Sequence, residues 1–313
     1  MMGLDIVNKG AKGGTELLIE EFKSHIDENI WKHFHIVPSR FRGHEAGKIP
    51  IYWAHDLVGD PECEHLKAGG YNQYEKLVFV SNWQMQQFVS YYGIPWHKCV
   101  VIQNAINPIP SKEKDDSVIR IIYHTTPHRG LELLAPVFDK LCEKHDNIVL
   151  DVFSSFKMYN FEERDKQYQQ VFDMLKANPK VNYHGFAEQP VVRDAVASAH
   201  IFAYPSIWME TSCRALMEAM SAGLICVHPN YGALYETAAN WTWMYQFLED
   251  KRDHAMLFYH QLDAAIQNVH NEQIKLRLIN QQSYSNIFYG WEMRKQQWTL
   301  FLKQILNEKK IQY

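Results

Sequence analysis

The feature that most constrains the fold is an alternation of short apolar runs with amphipathic stretches, sustained along nearly the whole chain. "FHIVPS", "IPIYWAHD", "KLVFVS" and "CVVIQNAI" have the length and composition of buried strands. "NWQMQQFVSYYG" between the last two has helical spacing and a stop at Gly93. Ahead of them "LDIVN" reads as a strand, "KGAKGG" as a glycine turn, and Thr15 to His25 as an amphipathic helix. The alternation resumes with the strand "VIRIIYH", the helix "GLELLAPVFDKLCEKH" and the strand "IVLDVFS". A helix from about Glu162 to Ala177, the strand "VNYHGF", the helix "QPVVRDAVASA" and the strand "IFAYPS" follow. A helix within "TSCRALMEAMSAG" and the strand "LICVHP" come next, with helices to the end. Strands alternating with helices pair in parallel, with helices covering both faces of the sheet. Between the two series lies "NPIPSKEKDDS", residues 107 to 117, whose proline and charge read as a linker. A chain of 313 residues exceeds the usual span of one core, so two α/β domains are expected.

Composition removes several classes. A formal net charge of −4 offers no basic footprint, so no nucleic acid is expected as a partner. No run approaches the roughly 20 apolar residues of a transmembrane helix. The start, "MMGLDIVNKGAKGG", lacks the apolar centre of a secretory signal. Cys63, Cys99, Cys142, Cys213 and Cys226 are scattered and form no CxxC pair, the pattern of reduced thiols; a cytoplasmic location is expected. HExxH, DxD and clustered Cys/His spacings are absent, and no metal is expected.

The densest polar motif is "PSIWMETSCRALMEAMSAGLICVHPNYGALYE". Glu210 precedes a helix for which Thr211 and Ser212 read as caps, and Glu218 lies about two turns inside it. A helix start presents unpaired N–H groups and partial positive charge, suited to phosphate or sugar hydroxyls. A carboxylate such as Glu218 has two oxygens for the adjacent hydroxyls of a ribose. The small residues Ala219, Ser221, Ala222 and Gly223 allow close packing on a sheet. Spacing alone leaves open that Glu210 is a helix-start acid and Glu218 a surface residue.

This segment resembles the donor-binding signature of family 4 retaining glycosyltransferases: a Pro-Ser, an E-x7-E pair, a small-residue helix, a strand and a Gly-x-x-x-Glu turn. The resemblance implies the GT-B fold, two Rossmann-like domains facing each other across a cleft, with a C-terminal helix crossing back to the first. The expected domains are 1–110 on the acceptor side, 111–282 for the nucleotide sugar, and 283–313 as the returning helix, whose aromatic stripe (Trp291, Trp298, Phe301) is expected to pack. It implies transfer of a sugar, a hexose being favoured, from a nucleotide diphosphate-sugar to a glycan, lipid-linked, protein or small-molecule acceptor, without metal or cofactor. The resemblance alone implies retention of configuration, with the acceptor attacking on the leaving-group face. The resemblance carries Glu210 and the run Thr211, Ser212 and Cys213 to the donor sugar and phosphate, and Glu218 to the ribose. Phe186 and Ala187, after "VNYHGF", are carried to the base.

In "YHTTPHRGLELL" the family usually places a basic pair ending in Lys-Gly. Here Arg129 precedes Gly130 in the lysine's place, the other basic residue is missing, and Thr125 and Thr126 are the expected partial substitutes. A departing diphosphate needs cations at that turn. Gly13 and Gly14 in "KGAKGGTELL" would let backbone approach the donor. His55, at the end of "YWAHD", is carried to the donor sugar, with Asp56 orienting it. The expected catalytic groups are therefore His55, Arg129 and Glu210. A sugar-binding GT-B partner without catalysis and a nucleotide-sugar epimerase are the alternatives that the missing cation and the fold leave open.

Overall fold

A computed structural model describes residues 14–313. The expected strand "LDIVN", the turn after it and Gly13 lie outside the described residues. The chain divides into two compact units. One runs to Ile106 and takes in Tyr289–Tyr313; the other is Asn107–Phe288.

The first unit opens with α1 (Gly14–His25) and α2 (Glu28–Trp31). The strands β1 (Phe34–Pro38), β2 (Ile49–Ala54) and β3 (Lys76–Phe79) follow, then α3 (Asn82–Tyr92) and β4 (Cys99–Val101). The described sheet runs in the order β1-β2-β3-β4, with every pair parallel. All five β1 residues are buried, as parallel strands covered on both faces require. Both ends of α3 follow from its sequence: Ser81 Oγ accepts from Gln84 N–H at 3.1 Å, and Gly93 closes the helix. The C-terminal helix Trp291–Glu308 belongs to this unit. Its Trp298, 1% exposed, stands edge-on to Phe22 at 5.0 Å and to Trp53 at 4.9 Å. Trp291 and Phe301 join the same cluster, so the aromatic stripe packs. Truncating such a buried ring costs about 3–5 kcal/mol.

The second unit contains β5 (Ile119–Tyr123), α4 (Leu131–Cys142), β6 (Ile148–Val152), α5 (Gln169–Ala177) and β7 (Val181–Tyr183). It continues through α6 (Gln189–Ser198), β8 (Ile201–Ala203), α7 (Arg214–Ser221), β9 (Ile225–Pro229) and α8 (Leu234–Ala238). β10 (Trp243–Tyr245), α9 (Lys251–Asn268) and α10 (Glu272–Phe288) complete it, and the returning helix Trp291–Glu308 is α11. Its sheet is parallel in the order β10-β9-β8-β5-β6-β7. Read from β5, this is the doubly wound Rossmann order: three strands grow one way, then the chain returns to β8 beside β5 and grows the other way. The last strand, β10, falls where the sequence reads as helix; "WMY" is too short to show a period, and its pairing with β9 decides its conformation.

Residues 107–117 read as a linker but are tied down on the second unit. Ile109 is 2% exposed and its N–H donates to Ser221 Oγ at 2.8 Å. Pro108 O accepts from Arg193 Nη2 at 2.9 Å, and Ser111 Oγ meets Gln282 Nε2 at 2.6 Å. Polar anchors, invisible to a count of apolar residues, hold the segment.

Candidate functional site

The Rossmann order puts the switch point between β5 and β8, the place outside the carboxyl ends of the strands where sheets of this order bind ligands. Arg129 comes from the first loop and Glu210 from the second. A 3-10 turn, Pro127–Arg129, brings Arg129 round so that its Nε donates to Thr126 Oγ1 at 3.2 Å. Thr126 O accepts from the Tyr123 hydroxyl at 2.9 Å, fixing the turn to the end of β5. Gly130, at φ 116°, lets the loops touch: a Cβ there would lie 2.1 Å from Pro205 O. That contact explains why the cation is followed by glycine.

Glu210 is 4% exposed and its Oε1 receives both Arg129 Nη1 and the Tyr204 hydroxyl. A buried carboxylate requires such pairing. Burial works against the Arg129 charge, but Glu210 outweighs it and the guanidinium is held well above its ordinary range. Burial, then Glu210's charge, push the Tyr204 phenol well above its ordinary value, so it remains a donor. The Glu210 backbone is gripped as well. It forms a parallel bridge with Gly232, and its carbonyl accepts from Ala233 N–H at 2.7 Å. Gly232, at φ 61°, is the residue this approach permits: a Cβ would stand 2.5 Å from Glu210 O and 2.7 Å from Glu210 N.

That bridge holds Glu210 out of helical conformation and delays the helix. α7 begins at Arg214 with Cys213 as its N-cap and no side-chain capping bond, so Thr211 and Ser212 are not the caps expected of them. Glu218 is the fifth residue of α7, its side chain 13% exposed and 3.8 Å from Arg193 of α6. Cys213 is buried, and burial pushes its thiol well above the ordinary range, which removes it as a thiolate. Phe186 and Ala187 lie half-buried in the loop from β7 to α6, Ala187 against the second unit's core.

The missing second cation is not replaced by the neighbouring histidines. Burial lowers His124 to about 4, and burial with the charges of Arg129 and Arg164 lowers His128 to about 4. Both are neutral near pH 7. His124 packs on Phe202 at 4.9 Å, and His128 stacks on Phe156 at 5.2 Å. Thr125 is half-buried and Thr126 buried. In the first unit, the backbone N–H groups of His55 and Asp56 donate to Ser39 Oγ at 2.8 and 3.2 Å, and the His55 ring meets Trp53 at 4.7 Å. Burial foremost raises the Asp56 carboxyl. Gly14 begins α1. Among the described residues no three His, Cys, Asp or Glu side chains are grouped to hold a metal, and no described helix is long and apolar enough to cross a membrane.

The family model described as "Glycosyl transferases group 1" matches residues 103–282, which include both switch-point loops and α7. The chain belongs to that family. Among relatives of this glycosyl transferase group 1 chain is a phosphatidylinositol N-acetylglucosaminyltransferase subunit of Homo sapiens. It is 28% identical over 142 residues, covering 44% of this chain and 28% of that protein. The chain thus spans under a third of that relative's length. In fold the chain is similar to a glycosyltransferase from Rickettsia africae, with a TM-score of 0.69 at 15% identity over 96% of this chain and 84% of that one. It is also similar to Anabaena HepE in complex with UDP-glucose, with a TM-score of 0.66 at 13% identity over 97% and 98% of the two chains. Those likenesses show the GT-B fold.

Two residues of the site were not legible in the sequence of this group 1 chain. Arg193, on the neighbouring helix, meets Glu218 only through the packing of α6 beside α7. Tyr204 looked like an apolar strand end; the one available signal was its hydroxyl, which a buried tyrosine must satisfy.

Proposed function

We propose that the protein is a metal-independent retaining glycosyltransferase that moves a sugar from a nucleotide diphosphate-sugar to a hydroxyl acceptor. The observation that carries this is the buried Arg129–Glu210–Tyr204 cluster at the switch point of the matched unit. In the reaction the bond between the sugar's anomeric carbon and the diphosphate breaks. The acceptor oxygen bonds to that carbon from the same face, and its proton passes to the departing diphosphate. Arg129 meets the charge that develops on the leaving group, assisted by Thr125, Thr126 and the backbone N–H groups of Thr211, Ser212 and Cys213. Oε1 of Glu210 is occupied by two donors and no described residue donates to Oε2, which leaves that oxygen to accept from the sugar's hydroxyls. Glu218 serves the ribose, and Phe186 and Ala187 the base. A role for His55, which follows β2, at the donor sugar rests on the family resemblance. Cytoplasmic residence is part of the same proposal, consistent with five free cysteines.

UDP-glucose and UDP-N-acetylglucosamine are the first donors to test, since the neighbouring fold holds UDP-glucose and the human relative's name specifies N-acetylglucosaminyl transfer. The experiment is a thermal-shift screen of uridine, guanosine and adenosine diphosphate sugars, followed by release of nucleoside diphosphate with and without EDTA. At least one donor should raise the melting temperature, Arg129→Ala should abolish that rise, and EDTA should leave turnover unchanged. Product anomeric configuration, read by NMR, tests retention. No donor response in wild type refutes the donor site. Binding without release of nucleoside diphosphate, across an acceptor panel, favours instead a partner that binds sugar without catalysis.

A further inference from the structure

We infer that Tyr204 is a positioning residue for the proposed transfer: its hydroxyl, with Arg129, fixes one oxygen of Glu210 and aims the other at the donor sugar. The inference rests on the function proposed above. Tyr204 directly follows β8, and its N–H donates to Val227 O at 2.9 Å, so its backbone extends the sheet ladder. The ring is fully buried, stacked on Phe202 at 5.3 Å and tilted on Tyr123 at 6.2 Å. A ring so enclosed has little rotational freedom, and its hydroxyl is delivered to one place. That place is Glu210 Oε1, on a residue six positions later whose backbone Gly232 and Ala233 already hold. Backbone and Arg129 alone would still allow the carboxylate to rotate about its terminal bond, a broad torsion for glutamate. A second donor on the same oxygen, coming from a rigid strand end, removes that rotation. The hydroxyl stays protonated because burial and the Glu210 charge both disfavour the phenolate. Tyr204 touches Glu210, and acts through it.

A purely structural tyrosine would share the same burial, so the test must separate the two roles. Tyr204→Phe keeps the ring and deletes the hydroxyl. With the donor sugar identified by the screen, Tyr204→Phe is expected to lower kcat about ten- to hundredfold, the loss of one hydrogen bond to a charged group. The dissociation constant for the free nucleoside diphosphate, which lacks the sugar, should stay within about twofold. In Glu210→Gln, which loses most activity, adding Tyr204→Phe should cost nothing further, because both changes remove the same function. Multiplicative losses in the double variant, or an equal loss of nucleoside diphosphate binding in Tyr204→Phe, overturn the positioning role. Unchanged kcat in Tyr204→Phe beside a large loss in Glu210→Gln overturns it while leaving the proposed function intact. Unchanged kcat in Glu210→Gln overturns the assignment of Glu210 itself. If Tyr204→Phe lowers the melting temperature, the nucleoside diphosphate arm, measured below that temperature, still decides.

Discussion

Replacing Gly232 with alanine should damage the site through the backbone of Glu210, and its size can be worked from the structure. The residue sits at φ 61°, where an L side chain costs about 1–2 kcal/mol. The new Cβ would fall 2.5 Å from Glu210 O and 2.7 Å from Glu210 N, both backbone atoms that cannot turn aside as a side chain would. Relieving those overlaps requires the two segments to separate by several tenths of an ångström or more, against the Ala233 N–H bond to Glu210 O of 2.7 Å. Overpacking of this kind costs about 1–3 kcal/mol, for a total of about 2–5 kcal/mol. In a domain of this size that is a fall in melting temperature of roughly 5–15 °C. Gly223 supplies the control within the same unit: at φ 72° it carries the left-handed cost, but its nearest neighbours would lie at 4.0 Å. Gly223→Ala should therefore lose about 1–2 kcal/mol and keep its kinetics. Gly232→Ala should also lose about a hundredfold in kcat, the scale of an ångström of misplacement at a reacting centre. Melting followed by calorimetry and turnover measured below both transitions give the two numbers. Equal melting losses and equal kcat in the two variants would refute the claim that Gly232 is required by its contact with Glu210.

Three further outcomes follow from named groups. Glu218→Gln should weaken nucleoside diphosphate binding about ten- to hundredfold and should erase any preference for ribose over 2′-deoxyribose; calorimetry with the paired nucleotides checks it, and a retained preference would count against the ribose role. His228 and His254 are fully buried, and burial lowers each to about 4. The unfolded chain takes up these protons near pH 6.5 and the folded one does not until about 4. Their contribution to stability is therefore present above pH 6.5 and is lost as pH falls, by about 1 kcal/mol each at pH 5.5. A melting temperature unchanged between pH 7.5 and 5.5 would contradict this. Burial lowers the Lys114 ammonium to about 8, with a 3.3 Å bond to Gly223 O as compensation. The folded state resists that charge at neutral pH, so Lys114→Met should raise stability by about 1–3 kcal/mol at pH 7, and by less as pH rises through 8 towards 10.5, where the unfolded lysine also loses its proton. A lower melting temperature for Lys114→Met at pH 7 would refute it.

Most strands and helices were legible because a parallel sheet buries both faces of its strands and leaves continuous apolar runs, with amphipathic helices between them. Ser81 and Gly93 marked the ends of α3 for local reasons that need no tertiary knowledge. What was not legible depended on partners far away in sequence. β10 is a strand because β9 is beside it, and residues 107–117 are docked because Ser221 and Gln282 meet them. The same reason hid the electrostatics of the site. The sequence presents one arginine where a basic pair is usual, which reads as weak phosphate binding. The structure places Glu210 on that arginine, so the guanidinium charge is already paired within the protein. If Arg129 serves the diphosphate as proposed, the diphosphate shares it with Glu210, and affinity is set by the difference between the two partners and not by the cation alone. On that proposal, one cation already paired with a carboxylate releases the diphosphate after transfer more readily than two unpaired cations would. Under the proposed function, the missing basic residue is thus consistent with turnover.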